Sequence, residues 1–141
     1  MRTLILAIVA LLSLTSCGKE QIISYDQLPS NARTIVESHF DRSLIAYVKK
    51  DGAGSFTEYE VKFNNQDEID FNHKGEVKSV DMKSGAVPSE LVPQQIREYV
   101  AKNFAGQTII QYSVERNGYE IELSSGLDIE FDNKFNVRKI D

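Results

Sequence analysis

The chain has 141 residues, 41% apolar and 26% charged, with three prolines and eight glycines, a composition that excludes collagenous, low-complexity and wholly disordered proteins. Sixteen basic against 21 acidic side chains give a net charge of −5, which disfavours nonspecific attraction to nucleic acid or to an anionic membrane surface. One cysteine and two histidines exclude an intrachain disulfide and a thiolate and imidazole zinc cage.

Met1-Arg2-Thr3 supplies a positive start, Leu4 through Leu12 is an uninterrupted apolar run, and Ser13-Leu14-Thr15-Ser16-Cys17 follows. This is the layout of a secretory signal, and it is too short to span a bilayer, which needs about 20 apolar residues in a helix. Leu14-Thr15-Ser16-Cys17 resembles the lipobox of bacterial lipoproteins. That resemblance implies cleavage after residue 16, a diacylglycerol on the Cys17 sulfur and attachment to the membrane by lipid alone. A plain secretory signal with a chance cysteine is the alternative. Residues 1–16 are therefore expected to be a signal peptide and 17–25 a lipidated N-terminus and polar tether. Neither position 18 nor 19 is aspartate, so the inner-membrane retention signal of some Gram-negative bacteria is missing. The expected address is the outer membrane, with the periplasmic and the surface side both open.

The rest of the chain, 26–141, reads as a duplicated unit, with repeats at 26–81 and 87–141. A shift of 64 places Leu28-Pro29 on Val92-Pro93, Ile35 on Tyr99, Val36 on Val100 and Phe40 on Phe104. A shift of 60 places Tyr59-Glu60-Val61 on Tyr119-Glu120-Ile121, Ile69-Asp70-Phe71 on Ile129-Glu130-Phe131 and Val80-Asp81 on Ile140-Asp141. The difference falls where Asp51-Gly52-Ala53-Gly54 shrinks to Asn117-Gly118, a surface turn.

In chain order, positions 32, 35, 36, 39 and 40 form an amphipathic helical stripe started by Pro29 and Ser30. Short strands are expected at Leu44–Lys50, Phe56–Phe63, Glu68–Asn72 and Glu76–Asp81. The second unit gives a helix over Gln94–Phe104 and strands at Thr108–Glu115, Tyr119–Leu123, Leu127–Asp132 and Asn136–Ile140. In the middle strands Tyr59, Val61, Phe63, Ile69 and Phe71 alternate with Glu58, Glu60, Lys62, Asp70 and Asn72, so one face is buried and one wet. The expected class is α+β: a tandem repeat of one helix plus a four-stranded antiparallel sheet, helices packed on the sheet. A unit of about 55 residues is marginal alone, so the units are expected to share an interface or continue one sheet.

Leu-Pro before a helix ending in Phe, then Tyr-x-Val-x-Phe, Ile-Asp-Phe, Lys-Gly and Val-Asp, echoed as Val-Pro, Tyr-Glu-Ile-Glu-Leu, Gly-Leu-Asp-Ile-Glu-Phe-Asp and Ile-Asp, resembles the PepSY-like family of β-lactamase-inhibitor-like proteins. The resemblance implies an exported, non-catalytic fold that acts by protein contact. The inhibitors themselves bear cysteines and tryptophan, whereas this chain has no tryptophan and its one cysteine is at the anchor.

No catalytic residue or cofactor emerges. There is no G-x-S-x-G elbow, Gly-rich phosphate loop or H-E-x-x-H, and His39 on the helix stripe and His73 in a turn lack a supporting motif. The distinctive chemistry is acidic. A hairpin keeping Phe63 opposite Ile69 sets Lys62 against Asp70 and Glu58 against Lys74, whereas in the second unit Glu122 faces Glu130 or Asp128, and Glu120 faces Asp132 or Glu130. Like charges across a ladder destabilise it unless a cation compensates. Glu120, Glu122, Asp128, Glu130 and Asp132 are therefore the candidate surface for a basic protein partner, with a solvated face as the bland reading and weak calcium binding as another. The Asp51–Ser55 loop is the fallback site. The expected function is non-enzymatic: a lipid-anchored envelope protein that binds another protein, or alternatively an inhibitor or chaperone-like regulator of an exported peptidase or β-lactamase.

Overall fold

The structure, a computed structural model, describes residues 20–141, so the expected signal peptide and Cys17 lie outside the described residues. Two helices, α1 (Ser30–His39) and α2 (Gln94–Asn103), form where the apolar stripes lie, each directly after a proline whose fixed φ near −52° suits the entry to a helix. Nine strands accompany them: β1 (Gln21–Ile23), β2 (Ile45–Asp51), β3 (Glu58–Phe63), β4 (Glu68–Asn72), β5 (Val77–Asp81), β6 (Ile109–Glu115), β7 (Gly118–Leu123), β8 (Asp128–Asp132) and β9 (Val137–Ile140). No helix among the described residues is long and apolar enough to cross a membrane.

The arrangement corrects the expected fold class. The strands do not form two four-stranded sheets in tandem; they form one nine-stranded antiparallel sheet in the order β1 to β9. Where two sheets would have met, β5 and β6 pair through Ser79↔Ser113, Val80↔Tyr112 and Asp81↔Gln111. The physical reason is that β5 and β6 would otherwise be bare edges with unpaired N–H and C=O groups, and joining them satisfies both. A ninth strand arises in the stretch assigned to the tether: Gln21, Ile22 and Ile23 pair with Lys50, Lys49 and Val48.

Both helices lie on one face of this sheet. Ala32 and Val36 of α1 and Ile96 and Val100 of α2 join Val61, Ile69, Phe71, Ile121, Ile129 and Phe131 in one buried cluster. Each of these valine, isoleucine and phenylalanine side chains contributes about 1.5–3 kcal/mol on burial. Phe40 stacks on Phe63 at 5.1 Å, and Tyr99 meets Phe131 edge-on at 5.4 Å. The other face carries the alternate, polar residues, and among the described residues no helix lies over it.

Four turns share one geometry. In β3–β4, Gln66 N donates to Phe63 O and Phe63 N to Asp67 O; the same pattern recurs at Leu123–Leu127, Asn72–Glu76 and Asp132–Asn136. Each third loop residue is left-handed: Gln66 (φ 74°), Gly126 (88°), Gly75 (77°) and Phe135 (64°). At Gly75 a Cβ would sit 2.2 Å from Asn31 Oδ1 and 2.8 Å from the Pro29 Cβ, so the β4–β5 turn abuts the start of α1, and this close approach requires the glycine that the left-handed φ already favours.

Candidate functional site

The three-residue turn also corrects the pairing expected for the first half. It sets Lys62 opposite Glu68, Glu60 opposite Asp70 and Glu58 opposite Asn72, two residues away from the register that placed Phe63 on Ile69, because the loop is shorter than five residues. Glu60 is held by Lys49 Nζ at 2.9 Å and by the Tyr47 hydroxyl at 2.8 Å. Burial pushes its carboxyl upward, but these two bonds outweigh burial and leave it below the ordinary range. Lys62 Nζ pairs with Glu68 at 2.9 Å, and Lys78 pairs with Glu58.

Asp70 is the exception. Its Oδ2 accepts from Ser79 Oγ at 3.0 Å, while Oδ1 is buried without a hydrogen-bond partner among the described residues. Burial foremost, with Glu68, Glu60 and Glu58 adding repulsion, raises it to about 6 despite the Ser79 bond. Glu60, Glu68 and Asp70 each offer an oxygen within 4.8 Å of the others. Sequence reasoning missed this cluster because it followed the wrong register. The ammonium groups of Lys49 and Lys62 already sit on two of its three carboxylates, so a divalent ion would have to displace them.

The second half is different. Glu120 faces Glu130 and Glu122 faces Asp128, while Asp132 lies opposite Gly118. Among the described residues no lysine, arginine or histidine comes within ion-pair distance of Glu120, Glu122, Asp128 or Glu130. Lys139, opposite Glu130, is turned to Asp141. Burial first, then Glu115, Glu130 and Asp128, holds the Glu120 carboxyl above its usual range, with Lys139 opposing. Asp132 stands apart from the other four: it accepts from the Asn136 side-chain amide at 3.0 Å, from Asn136 N at 2.9 Å and from Lys134 N at 2.8 Å, bonds that keep its carboxyl low and tie it to the turn.

Between the halves, over the β5–β6 seam, the short side chains of Ser79 and Ser113 leave a trough of ≈ 260 Å³ rimmed by Glu68, Asp81, Glu122 and Asp128. The trough comes from the seam itself, so no reading of separate sheets could have found it. His39, at the end of α1, has Glu90 Oε2 3.9 Å from its Nδ1, and His73 is exposed in its turn.

With this geometry in place, residues 57–139 match the family model described as "Putative beta-lactamase-inhibitor-like, PepSY-like". The chain belongs to the PepSY-like family. Three crystal structures of periplasmic proteins are similar to this PepSY-like chain. One, a "putative periplasmic protein" of the DUF2874 family from Bacteroides vulgatus, is 35% identical with a TM-score of 0.83, covering 87% of this chain and 97% of that one. A "putative calcium-regulated periplasmic protein" of Bacteroides thetaiotaomicron is 31% identical with a TM-score of 0.80, covering 86% and 96%. A second periplasmic protein of Bacteroides vulgatus is 32% identical with a TM-score of 0.78, covering 87% and 99%. No match is found among curated proteins.

Proposed function

We propose that this chain is a non-enzymatic envelope protein, held to the outer membrane by lipid on Cys17, that binds a basic segment of another protein over the acidic part of its open sheet face. The observation that carries this reading is the pair of acid-on-acid contacts, Glu120↔Glu130 and Glu122↔Asp128, without an ion pair among the described residues. Uncompensated like charges across a ladder weaken the free protein, and a lysine- or arginine-bearing partner removes that cost on docking. The trough lies beside them, and the periplasmic relatives support an envelope location.

The test is capture from envelope extracts by the acyl-free protein, compared with the Glu122→Gln, Glu130→Gln double variant. A partner retained by the native face, lost from the variant and released as salt rises supports the reading; equal retention by both refutes the site. Inhibition of an exported hydrolase is the alternative raised by the family description. It is checked by adding the protein to co-exported peptidases and β-lactamases, where potent inhibition favours that alternative.

A further inference from the structure

The strand directions sort the connections between two ends of the sheet. β2 runs toward Asp51, and its antiparallel successors place the β2–β3, β4–β5, β6–β7 and β8–β9 connections at that same end. The turns at Asn64–Asp67 and Ser124–Leu127 lie at the other, about 20 Å away along a six-residue strand. β1 enters at the first end, since Gln21 pairs with Lys50, the residue before Asp51. Cys17 precedes Gln21 by four residues, so whatever path they take it stays within about 14 Å of that point.

The two most exposed large apolar side chains among the described residues flank this entry: Phe56, 86% exposed, in the β2–β3 loop and Ile22, 71% exposed, on β1. Phe56 is displayed by a built loop. Phe56 N donates to Ala53 O at 3.1 Å, Thr57 N donates to Gly54 O at 3.2 Å, and Thr57 is buried. Gly52 holds φ 80° against the Phe56 carbonyl, where a Cβ would come within 2.4 Å. The neighbouring turn tips carry Lys74, Arg116 and Lys134, all exposed. The acids at this end are engaged within the fold: Glu20 with Lys49, Asp51 with Gly52 N, Glu58 with Lys78, Glu76 with the Asn72 amide, Glu115 with the Ser113 hydroxyl and Asp132 with its own turn.

We propose that this end of the sheet is the membrane-apposed surface, with Phe56 inserted among the lipids that hold the acyl chains and Lys74, Arg116 and Lys134 resting on anionic headgroups. The inference rests on acylation of Cys17. An aromatic side chain at the bilayer interface, with cations on the successive turn tips to one side of it, matches the chemistry of interfacial anchoring. It also turns the open acidic face sideways, away from anionic lipid and toward solution.

The chain contains no tryptophan, so Phe56→Trp makes a single-tryptophan reporter and Ser125→Trp a control at the far, exposed end. The acylated chain is reconstituted into phosphatidylethanolamine and phosphatidylglycerol vesicles with brominated acyl chains. The expected result is blue-shifted, strongly quenched emission at position 56 and unquenched emission at position 125. Anchored protein with position 56 unquenched overturns the proposal while leaving the anchor standing. A blue shift without quenching assigns Phe56 to a protein contact and overturns it too. Failure of the chain to float with vesicles overturns the anchor reading, and this inference with it.

Discussion

Asp70 gives the sharpest expectation at the level of a single residue. Its folded-state pKa of about 6 exceeds the ordinary 3.8, so the folded protein takes up this proton at higher pH than the unfolded chain. Stability therefore rises as pH falls through about 6, and the gain is complete near the unfolded value, on the order of 2–3 kcal/mol. Asp70→Asn is expected to raise Tm at pH 7.5 and flatten its dependence between pH 7 and 5; an unchanged profile contradicts the assignment. Asp67 behaves in the opposite sense. Burial raises its carboxyl, but the Ser84 hydroxyl, Ser84 N at 2.9 Å and Lys83 N at 2.7 Å outweigh burial and hold it low. Asp67→Ala leaves those amides without their acceptor and is expected to cost about 2–4 kcal/mol in urea unfolding. The acids of the second half could be read from alternation alone, because either plausible register opposed like charges. Asp67 and Asp70 could not: Asp67 reaches a loop 16 residues away, and Asp70's environment depends on a register that sequence reading placed two residues off.

The same turn geometry explains what was legible at the level of elements. Apolar periodicity marks two helices and eight strands within two residues of their observed ends, because alternation reports which side chains face the core. It does not report which strand lies alongside, so a shared interface and a continued sheet both stayed open for the two units until the β5–β6 pairing settled it, and the three-residue β1 was not recoverable. Loop length was misjudged because Gln66, a residue that seldom adopts left-handed φ, occupies the position held by Gly126 in the equivalent turn. Exchange tests this. Gln66→Gly is expected to be neutral to slightly stabilising, while Gly126→Gln is expected to cost about 1 kcal/mol; a large loss from Gln66→Gly would mean that its side chain, not its backbone, holds the turn. Phe40→Ala removes the stack on Phe63, and Phe104→Ala removes the contact with Tyr99. Each is expected to cost about 2–4 kcal/mol.

At the scale of the whole molecule, one ladder through β5–β6 and one buried cluster containing residues of both helices require a single cooperative unit. One unfolding transition, shifted by either phenylalanine variant, is expected; two separated transitions, each moved by only one variant, would contradict the continuous core. Cys17→Ser is expected to release the chain from the membrane fraction, and full retention of the variant would mean that something other than lipid holds it. The proposed binding of a partner over the acidic face is tested most directly by crosslinking in intact cells. A photoreactive residue at Gln111, in the β5–β6 trough, is expected to trap a discrete envelope protein, with the adduct lost when Glu122 and Glu130 are both changed to glutamine. An adduct unaffected by those changes, or none at Gln111 while a probe at the far-end residue Ser125 traps one, would contradict the acidic face as the binding site.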